Sequence, residues 1–233
     1  MKQLIYKNCL LCDTLSYRDF CDACFKDITK LSTHYCMVCA KTIASGKDGY
    51  CGDCLASLPA YSETIAALTY TFPTDRLIHA LKYRAQLAIA PILAQLLFNK
   101  ILQKGLTEYP DLIIPMPLHP KRLQERGFNQ ALEIGRHVAR QVKIELSPDG
   151  CKRIKNTPPQ TELPWKMRKN NVKNVFSCDL DLSGKHLAVI DDVMTTGATL
   201  NELAQQLCKQ GAKKVTNWVV ARVQRDRLQA RLY

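Results

Sequence analysis

The feature that most restricts how this chain can fold is a set of eight cysteines near its start. They form four Cys-x2-Cys pairs, which are Cys9/Cys12, Cys21/Cys24, Cys36/Cys39 and Cys51/Cys54. Each pair makes a tight turn that directs two thiolates toward one point, and two such turns complete the four-sulfur shell that Zn²⁺ favours. The pattern therefore predicts two structural zinc sites, both closed to substrate. A disulfide scaffold is the alternative, but nothing in the sequence indicates an oxidising compartment.

The sequence predicts the number of zinc sites more firmly than it predicts which cysteine pairs share each site. Sequential sites enclose loops of eight and eleven residues, which are short enough to close as hairpins. We therefore expect the first pair to join the second, and the third to join the fourth. An interleaved arrangement, first with third and second with fourth, is the alternative. A segment this short needs its metal to fold.

The rest of the chain differs from this segment in charge. Of the net charge of +12, residues 1–60 contribute only +1, so the remainder is strongly basic. The hydrophobic fraction of 46% is that of a globular protein and argues against disorder. Neither a secretory leader nor an apolar run of about 18 residues is visible, so we expect a cytoplasmic protein without membrane insertion. We place a zinc-ribbon domain at 1–58 and a second domain at 59–233.

Strand-like and helical patterns alternate through the second domain. Strands are predicted at Ile65–Phe72, Asp111–Met116, His186–Ile190 and Lys214–Ala221, and helices at Asp75–Leu102, Asn129–Val142 and Ala198–Gln210. Such alternation predicts an α/β fold with a mostly parallel sheet covered on both faces. Ligands of these sheets bind beyond the carboxyl ends of the strands.

The segment after the His186–Ile190 strand carries the most chemistry. Asp191 and Asp192 come first, and a threonine-rich turn with Gly197 then opens a helix. Backbone N–H groups, hydroxyls and a helix N-terminus together suit a phosphate. Carboxylates beside them suit sugar hydroxyls or Mg²⁺. The alternative is an Asp-rich turn in which threonine caps the helix.

This segment resembles the phosphoribosyl diphosphate (PRPP) motif of type I phosphoribosyltransferases. The whole pattern resembles the ComF family of competence proteins, including its GntX-type members. The likeness rests on the cysteine pairs and on the segments Leu77–Tyr83, Pro115–Leu118, Arg126–Gln130, Arg153–Gln160 and Asp191–Thr199. It implies a type I phosphoribosyltransferase sheet preceded by a small double zinc ribbon.

The resemblance also implies roles for individual residues. Ribose hydroxyls would be bound, directly or through Mg²⁺, by Asp191 and Asp192. The 5′-phosphate would be wrapped by Thr195, Thr196, Gly197, Ala198 and Thr199. The pyrophosphate loop would consist of Pro115, Met116, Pro117 and Leu118, and the segment Lys152–Phe176, here called the hood segment, would cover the site. If transfer occurs, the catalytic candidates are Asp191, Asp192 and Arg126, with Lys121, Arg153 and Arg168 as further cations for the leaving oxygens.

Three functions are consistent with these features. A competence protein would handle incoming single-stranded DNA in the cytoplasm on a PRPP-binding scaffold, with other competence or recombination proteins as further partners. A phosphoribosyltransferase with an unknown acceptor is the second function. A PRPP-sensing regulator whose zinc ribbons dock a protein partner is the third.

The hood segment supplies the candidate DNA contacts. Between Lys152 and Lys173 it has seven basic residues and one acid, and Trp165 lies among them. Cations with an interleaved aromatic ring are what single-strand binders use for backbone neutralisation and base stacking. The candidates are Arg153, Trp165, Lys166, Arg168, Lys169 and Lys173. In the alternative interpretation, the same cations face pyrophosphate and Trp165 packs on the sheet.

Overall fold

The computed structural model describes residues 6–30, 34–44, 49–156 and 174–224. In chain order its elements are β1 (Lys7–Asn8), β2 (Leu15–Ser16), α1 (Asp22–Ile28), α2 (Gly52–Ala56), β3 (Glu63–Thr69), α3 (Thr74–Arg84), α4 (Ile89–Lys104), β4 (Leu112–Pro115), α5 (Pro120–Arg126), α6 (Gln130–Val142), β5 (Glu145–Leu146), β6 (Cys151–Arg153), β7 (Phe176–Cys178), β8 (His186–Met194), α7 (Ala198–Lys209) and β9 (Lys214–Arg222). Across these ranges, no helix combines the length and the apolar character needed to cross a membrane.

The central feature is a five-stranded sheet with the order β3-β9-β8-β4-β5. Every neighbouring pair is parallel, which confirms the predicted α/β class. Residues 186–190 of β8 are all buried, because both faces of the sheet are covered. On one face Val189 packs in a cluster with α7, and on the other Ile190 packs in a cluster with α4 and α6.

The single helix predicted at Asp75–Leu102 is wrong, because two helices occupy this range. Ala85 ends α3 in the left-handed conformation, with φ of 50°, and its N–H donates to the carbonyl of Ala80. This conformation reverses the chain direction at a helix end. The chain then begins α4 at Ile89, which lets both helices bury their apolar sides against the sheet.

The strand predicted at His186–Ile190 is longer than expected and includes both carboxylates of the PRPP-like motif. Its pairing with β9 continues through Asp191 opposite Val219 and Met194 opposite Arg222. Asp191 and Asp192 therefore lie in a strand and not in the loop that the sequence suggests. Both side chains nevertheless reach the cleft at the carboxyl end of this strand.

A short antiparallel hairpin, β6 and β7, forms the base of the hood segment. Its register pairs Cys151 with Cys178 and Arg153 with Phe176. The residues between the two strands from 157 to 173 lie outside the described ranges. Of the six DNA-contact candidates, only Arg153 is described.

The two cysteine-rich ribbons pack on different parts of the second domain. The first contains the β1–β2 hairpin and α1, and its Phe20 and Ile28 join the cluster formed by α3 and α4. The second contains α2 and an isolated bridge between Tyr35 and Thr42, and it joins the cluster on the α7 face. The domain boundary after residue 58 stays a prediction.

Candidate functional site

The first ribbon brings Cys9, Cys12, Cys21 and Cys24 together. Their sulfur atoms all lie within 4.8 Å of one another, and those of Cys12 and Cys21 are 3.7 Å apart. A tetrahedron with Zn–S bonds of about 2.3 Å has sulfur–sulfur edges of about 3.8 Å, so this cluster fits zinc. Burial raises the pKa of the Cys9 thiol. Backbone N–H groups, that of Cys21 foremost, outweigh this effect and bring the pKa to about 6, which favours the thiolate that zinc needs.

The second ribbon brings Cys36, Cys39, Cys51 and Cys54 together with the same geometry. These sulfur atoms also lie within 4.8 Å of one another, and those of Cys39 and Cys51 are 3.6 Å apart. All four cysteines are buried, whereas Cys12 of the first ribbon is exposed. Within the described ranges all eight thiols are free of disulfides. The chain thus has two four-cysteine zinc-binding sites, and the sequential pairing is confirmed.

A cleft of about 650 Å³ opens at the carboxyl ends of β4 and β8. The predicted site residues that line it are Met116, Pro117, Leu118, Arg126, Arg153, Asp191, Asp192, Thr195 and Thr199. Residues that line it without having been predicted include Tyr70, His79, Lys82, Tyr83, Arg122 and Gln130. Segments distant in sequence therefore meet where a parallel sheet binds its ligands.

Four predicted residues do not line the cleft but lie close in sequence to residues that do: Pro115, Thr196, Gly197 and Ala198. Pro115 is the buried last residue of β4. The hydroxyl of Thr196 accepts a hydrogen bond of 3.1 Å from the N–H of Ala198, and Gly197 has a φ of +82° that side chains rarely adopt. This turn places the N-terminus of α7 beside Thr195, where the helix dipole favours an anion.

The two neighbouring aspartates have different environments. Asp192 is 2% exposed, its Oδ2 forms an ion pair with Lys82 Nζ, and its Oδ1 accepts a hydrogen bond of 3.3 Å from Gln130 Nε2. Burial raises the pKa of Asp192, but the Lys82 charge outweighs this and holds it below its usual range. For Asp191, burial and the adjacent Asp192 charge raise the pKa well above the usual value. The partly exposed Asp191 is thus the carboxylate without a described ion pair.

Cations and an aromatic ring form the rim of the cleft. Arg126 donates a hydrogen bond of 2.5 Å to Gln130 Oε1, and its guanidinium carbon is 5.6 Å from the centroid of the Tyr83 ring. Tyr83 also contacts His79, at 4.8 Å between ring centroids, and it remains 62% exposed. Arg153, which also lines the cleft, lies over the Phe176 ring. Burial, together with the nearby Arg122 charge, lowers its pKa. Positive charge thus converges on the cleft from several elements.

Sequence reasoning missed Lys82, Tyr83 and Gln130 as site residues. All three lie in segments that carry the family resemblance, Leu77–Tyr83 and Arg126–Gln130, so the signal was present. Lys82 and Gln130 contact Asp192 from distant parts of the sequence, which local spacing does not specify.

Comparison with known proteins adds an independent line of evidence. Residues 2–55 match the model of the double zinc ribbon domain, and residues 129–232 match that of the phosphoribosyl transferase domain. The DNA utilization protein YhgH of Escherichia coli strain K12 is 34% identical over 74% of this chain and 77% of its own length. Competence protein F of Haemophilus influenzae is 34% identical over 74% of this chain and 78% of its own length. The chain belongs to the ComF family of competence proteins.

The two domain models locate the ComF-family features on this chain. The double zinc ribbon match includes all eight cysteines, and the phosphoribosyl transferase match includes α6, β8 and the turn before α7. A purine phosphoribosyltransferase of known structure from Pyrococcus horikoshii matches 69% of this chain and 88% of its own at 20% identity, with a TM-score of 0.33. A structural match with this identity and TM-score gives no basis for inferring the substrate of this chain.

Proposed function

We propose that this ComF-family protein binds PRPP with Mg²⁺ in the cleft and handles incoming single-stranded DNA in the cytoplasm during transformation. The observation that carries the proposal is the composition of the cleft, where a phosphate-type turn, a carboxylate and several cations face one space. The names of the two relatives, a DNA utilization protein and a competence protein, support the DNA part.

The residues of the cleft fit the parts of PRPP. Thr195, Thr199 and the first turn of α7 suit the 5′-phosphate, since hydroxyls and helix N–H groups are good donors to an anion. Arg126 and Arg153 suit the pyrophosphate, because guanidinium groups bind phosphate oxygens with two parallel hydrogen bonds.

The carboxylate that suits the ribose and Mg²⁺ is Asp191. It is an oxygen donor of the kind Mg²⁺ prefers, and it lines the cleft, whereas both oxygens of Asp192 already have partners. When bound, Mg²⁺ would neutralise charge on the phosphates. Asp192 then acts through its neighbours, because its contact with Gln130 orients the amide that binds Arg126.

Single-stranded DNA is proposed to cross the same rim. The exposed ring of Tyr83 offers a stacking surface beside Arg122 and Arg126, which would neutralise the DNA backbone. The hood candidates Trp165, Lys166, Arg168, Lys169 and Lys173 would extend this basic surface. PRPP and DNA would then share one edge of the cleft.

Calorimetry with PRPP, in the presence and absence of Mg²⁺, tests the first part. Asp191→Asn should weaken PRPP binding, and more strongly with Mg²⁺ than without it. Asp149→Asn is the matched control, because Asp149 is exposed and is not among the cleft-lining residues. Wild-type affinity in Asp191→Asn, under both conditions, would contradict the proposed role of the cleft.

Titration with an oligothymidylate tests the second part. Tyr83→Ala should cost about 1–3 kcal/mol of binding free energy if a base stacks on the ring. Tyr109→Ala is the control, since Tyr109 is 44% exposed and does not line the cleft. Equal losses in both variants, or none in either, would remove Tyr83 from the DNA surface. Release of pyrophosphate from PRPP on adding a nucleobase would instead favour a phosphoribosyltransferase.

A further inference from the structure

One buried arginine, Arg222, connects the second zinc site to the turn at Thr195–Thr199, which is here called the phosphate turn. Arg222, the last residue of β9, is 5% exposed. Its Nε donates a hydrogen bond of 2.8 Å to the carbonyl of Cys39, a predicted zinc ligand. Its Nη1 donates to the carbonyl of Met194, the last residue of β8, at 3.2 Å and also to that of Thr195, the first residue of the turn. A single rigid guanidinium therefore fixes the backbone of the ribbon relative to the backbone of the turn.

A second contact reaches the turn through Tyr61. This side chain is buried in the same hydrophobic cluster as the four cysteines of the second ribbon. A Cβ atom built on Gly197 would lie 2.8 Å from the Tyr61 hydroxyl and 2.6 Å from Met194 Cε. The turn thus rests directly on a side chain that the second ribbon holds in place.

Further hydrogen bonds connect the second ribbon to β9 and α7. The amide of Gln224 accepts from the N–H of Thr42 at 2.8 Å and donates to the carbonyl of Ala40 at 3.0 Å, which attaches the ribbon to the end of β9. In the first turn of α7, Asn201 Oδ1 accepts a hydrogen bond of 2.7 Å from the N–H of Ala60. The helix whose N-terminus borders the cleft is therefore also attached to the segment that follows the ribbon.

The first ribbon is packed elsewhere. Cys9, Phe20 and Ile28 join the cluster of α3 and α4, on the other face of the sheet from Tyr61 and α7. The two zinc sites are chemically alike, but they differ in what they support. The first ribbon is therefore an internal control for the second.

We propose that the second zinc ribbon is part of the phosphate site, with Arg222 and Tyr61 as positioning residues for the turn at 194–199. Zinc held by Cys36, Cys39, Cys51 and Cys54 then sets the PRPP affinity of the cleft, whereas zinc in the first ribbon does not. The inference rests on the proposed binding of PRPP at this turn. Loss of the second zinc would free the carbonyls of Met194 and Thr195 from their common donor.

The test compares matched cysteine variants of the full chain. Cys54→Ser and Cys12→Ser should each lose about one of two zinc equivalents. Cys54→Ser should bind PRPP about tenfold more weakly, the effect of one lost buried hydrogen bond, while Cys12→Ser stays within about twofold of wild type. Hydrogen exchange of the amides at 194–199, measured without PRPP, should accelerate only in Cys54→Ser.

Arg222→Lys keeps the test decisive if Cys54→Ser does not fold. Lysine keeps the charge, but its single ammonium lacks the fork that reaches the carbonyls of Cys39 and Thr195 together. We expect faster exchange at 194–199 and weaker PRPP binding with both zinc equivalents retained. Wild-type exchange in Arg222→Lys, or equal changes in Cys54→Ser and Cys12→Ser, would overturn the inference. If wild type fails to bind PRPP but the exchange differences appear, the proposed function fails and the coupling stands.

Discussion

The ion pair between Lys82 and Asp192 provides the sharpest test of how the cleft is built. The two side chains are 19% and 3% exposed, and Gln130 is the other described partner of the carboxylate. In Lys82→Met, the side chain keeps its approximate length and loses its charge. The variant therefore leaves a buried carboxylate supported by one amide.

The size of the effect follows from this burial. Removing one partner of a buried ion pair costs about 3–5 kcal/mol, because the remaining charge is uncompensated. Since water reaches part of Lys82 and Gln130 still binds Asp192, we expect the lower end, about 3 kcal/mol at neutral pH.

The effect should depend on pH with a defined sign. Lys82 holds the pKa of Asp192 below its usual range in the folded protein. The stability that Asp192 contributes is therefore present above the unfolded pKa of about 3.9, and it is lost as the pH falls through the folded value. In Lys82→Met the folded pKa rises instead, so this variant gains stability as the pH falls toward about 4. The difference between the two proteins should narrow in acid.

Urea denaturation of the zinc-loaded proteins, followed by circular dichroism, measures these differences. Lys104→Met is the control, because Lys104 is 3.6 Å from Glu63 and both side chains are partly exposed, which predicts a cost of about 0–1 kcal/mol. The double variant Lys82→Met/Asp192→Asn should recover most of the loss, since position 192 no longer carries an uncompensated charge. A loss in Lys82→Met no larger than in the control, or a double variant no more stable than the single one, would refute the reasoning.

Three further predictions concern the zinc sites, the phosphate turn and the hood segment. Metal analysis should find about two zinc equivalents in the wild type and about one in Cys51→Ser; loss of both would mean that the ribbons share ligands. Gly197→Ala should lower the urea midpoint more than Gly184→Ala. Both glycines have positive φ, but only Gly197 has neighbours within 4 Å of the added Cβ. Equal shifts would mean that backbone strain alone accounts for the loss. Exchanging Arg168 and Lys169 for glutamate should weaken binding of all single-stranded sequences alike and lower the salt slope by about 0.7 per lost phosphate contact, as salt titration would show; an unchanged slope would remove them from the DNA surface.

Features fixed by short sequence spacing could be predicted without the structure. The two residues within each cysteine pair define a turn, and the short loops from Cys12 to Cys21 and from Cys39 to Cys51 favour sequential pairing. The turn from Thr195 to Thr199 is likewise contiguous, so the phosphate-binding role that we propose for it could be suggested from the sequence alone. The parallel sheet follows from the alternation of apolar strands and amphipathic helices, since each apolar face needs a covering layer.

Strand and helix ends were less accessible to sequence reasoning, because partners elsewhere decide them. Asp191 and Asp192 are polar, which suggests that the strand has ended. Their backbone groups nevertheless continue the ladder with β9, whose residues Val219 and Arg222 lie opposite the end of β8. The backbone needs hydrogen bonds wherever it is buried, and a neighbouring strand can supply them whatever the side chains are.

The contacts that organise the cleft were decided only by the tertiary structure. Lys82 reaches Asp192, and Arg222 reaches Cys39, across more than a hundred positions of sequence. Spacing over such distances carries no geometric information, because the intervening chain can close loops of almost any length at similar entropic cost. The parallel register of the sheet and the packing of the helices on its faces bring these partners together. Burial then makes each contact consequential, since a charge removed from water must find its counter-charge or its hydrogen bonds inside the fold.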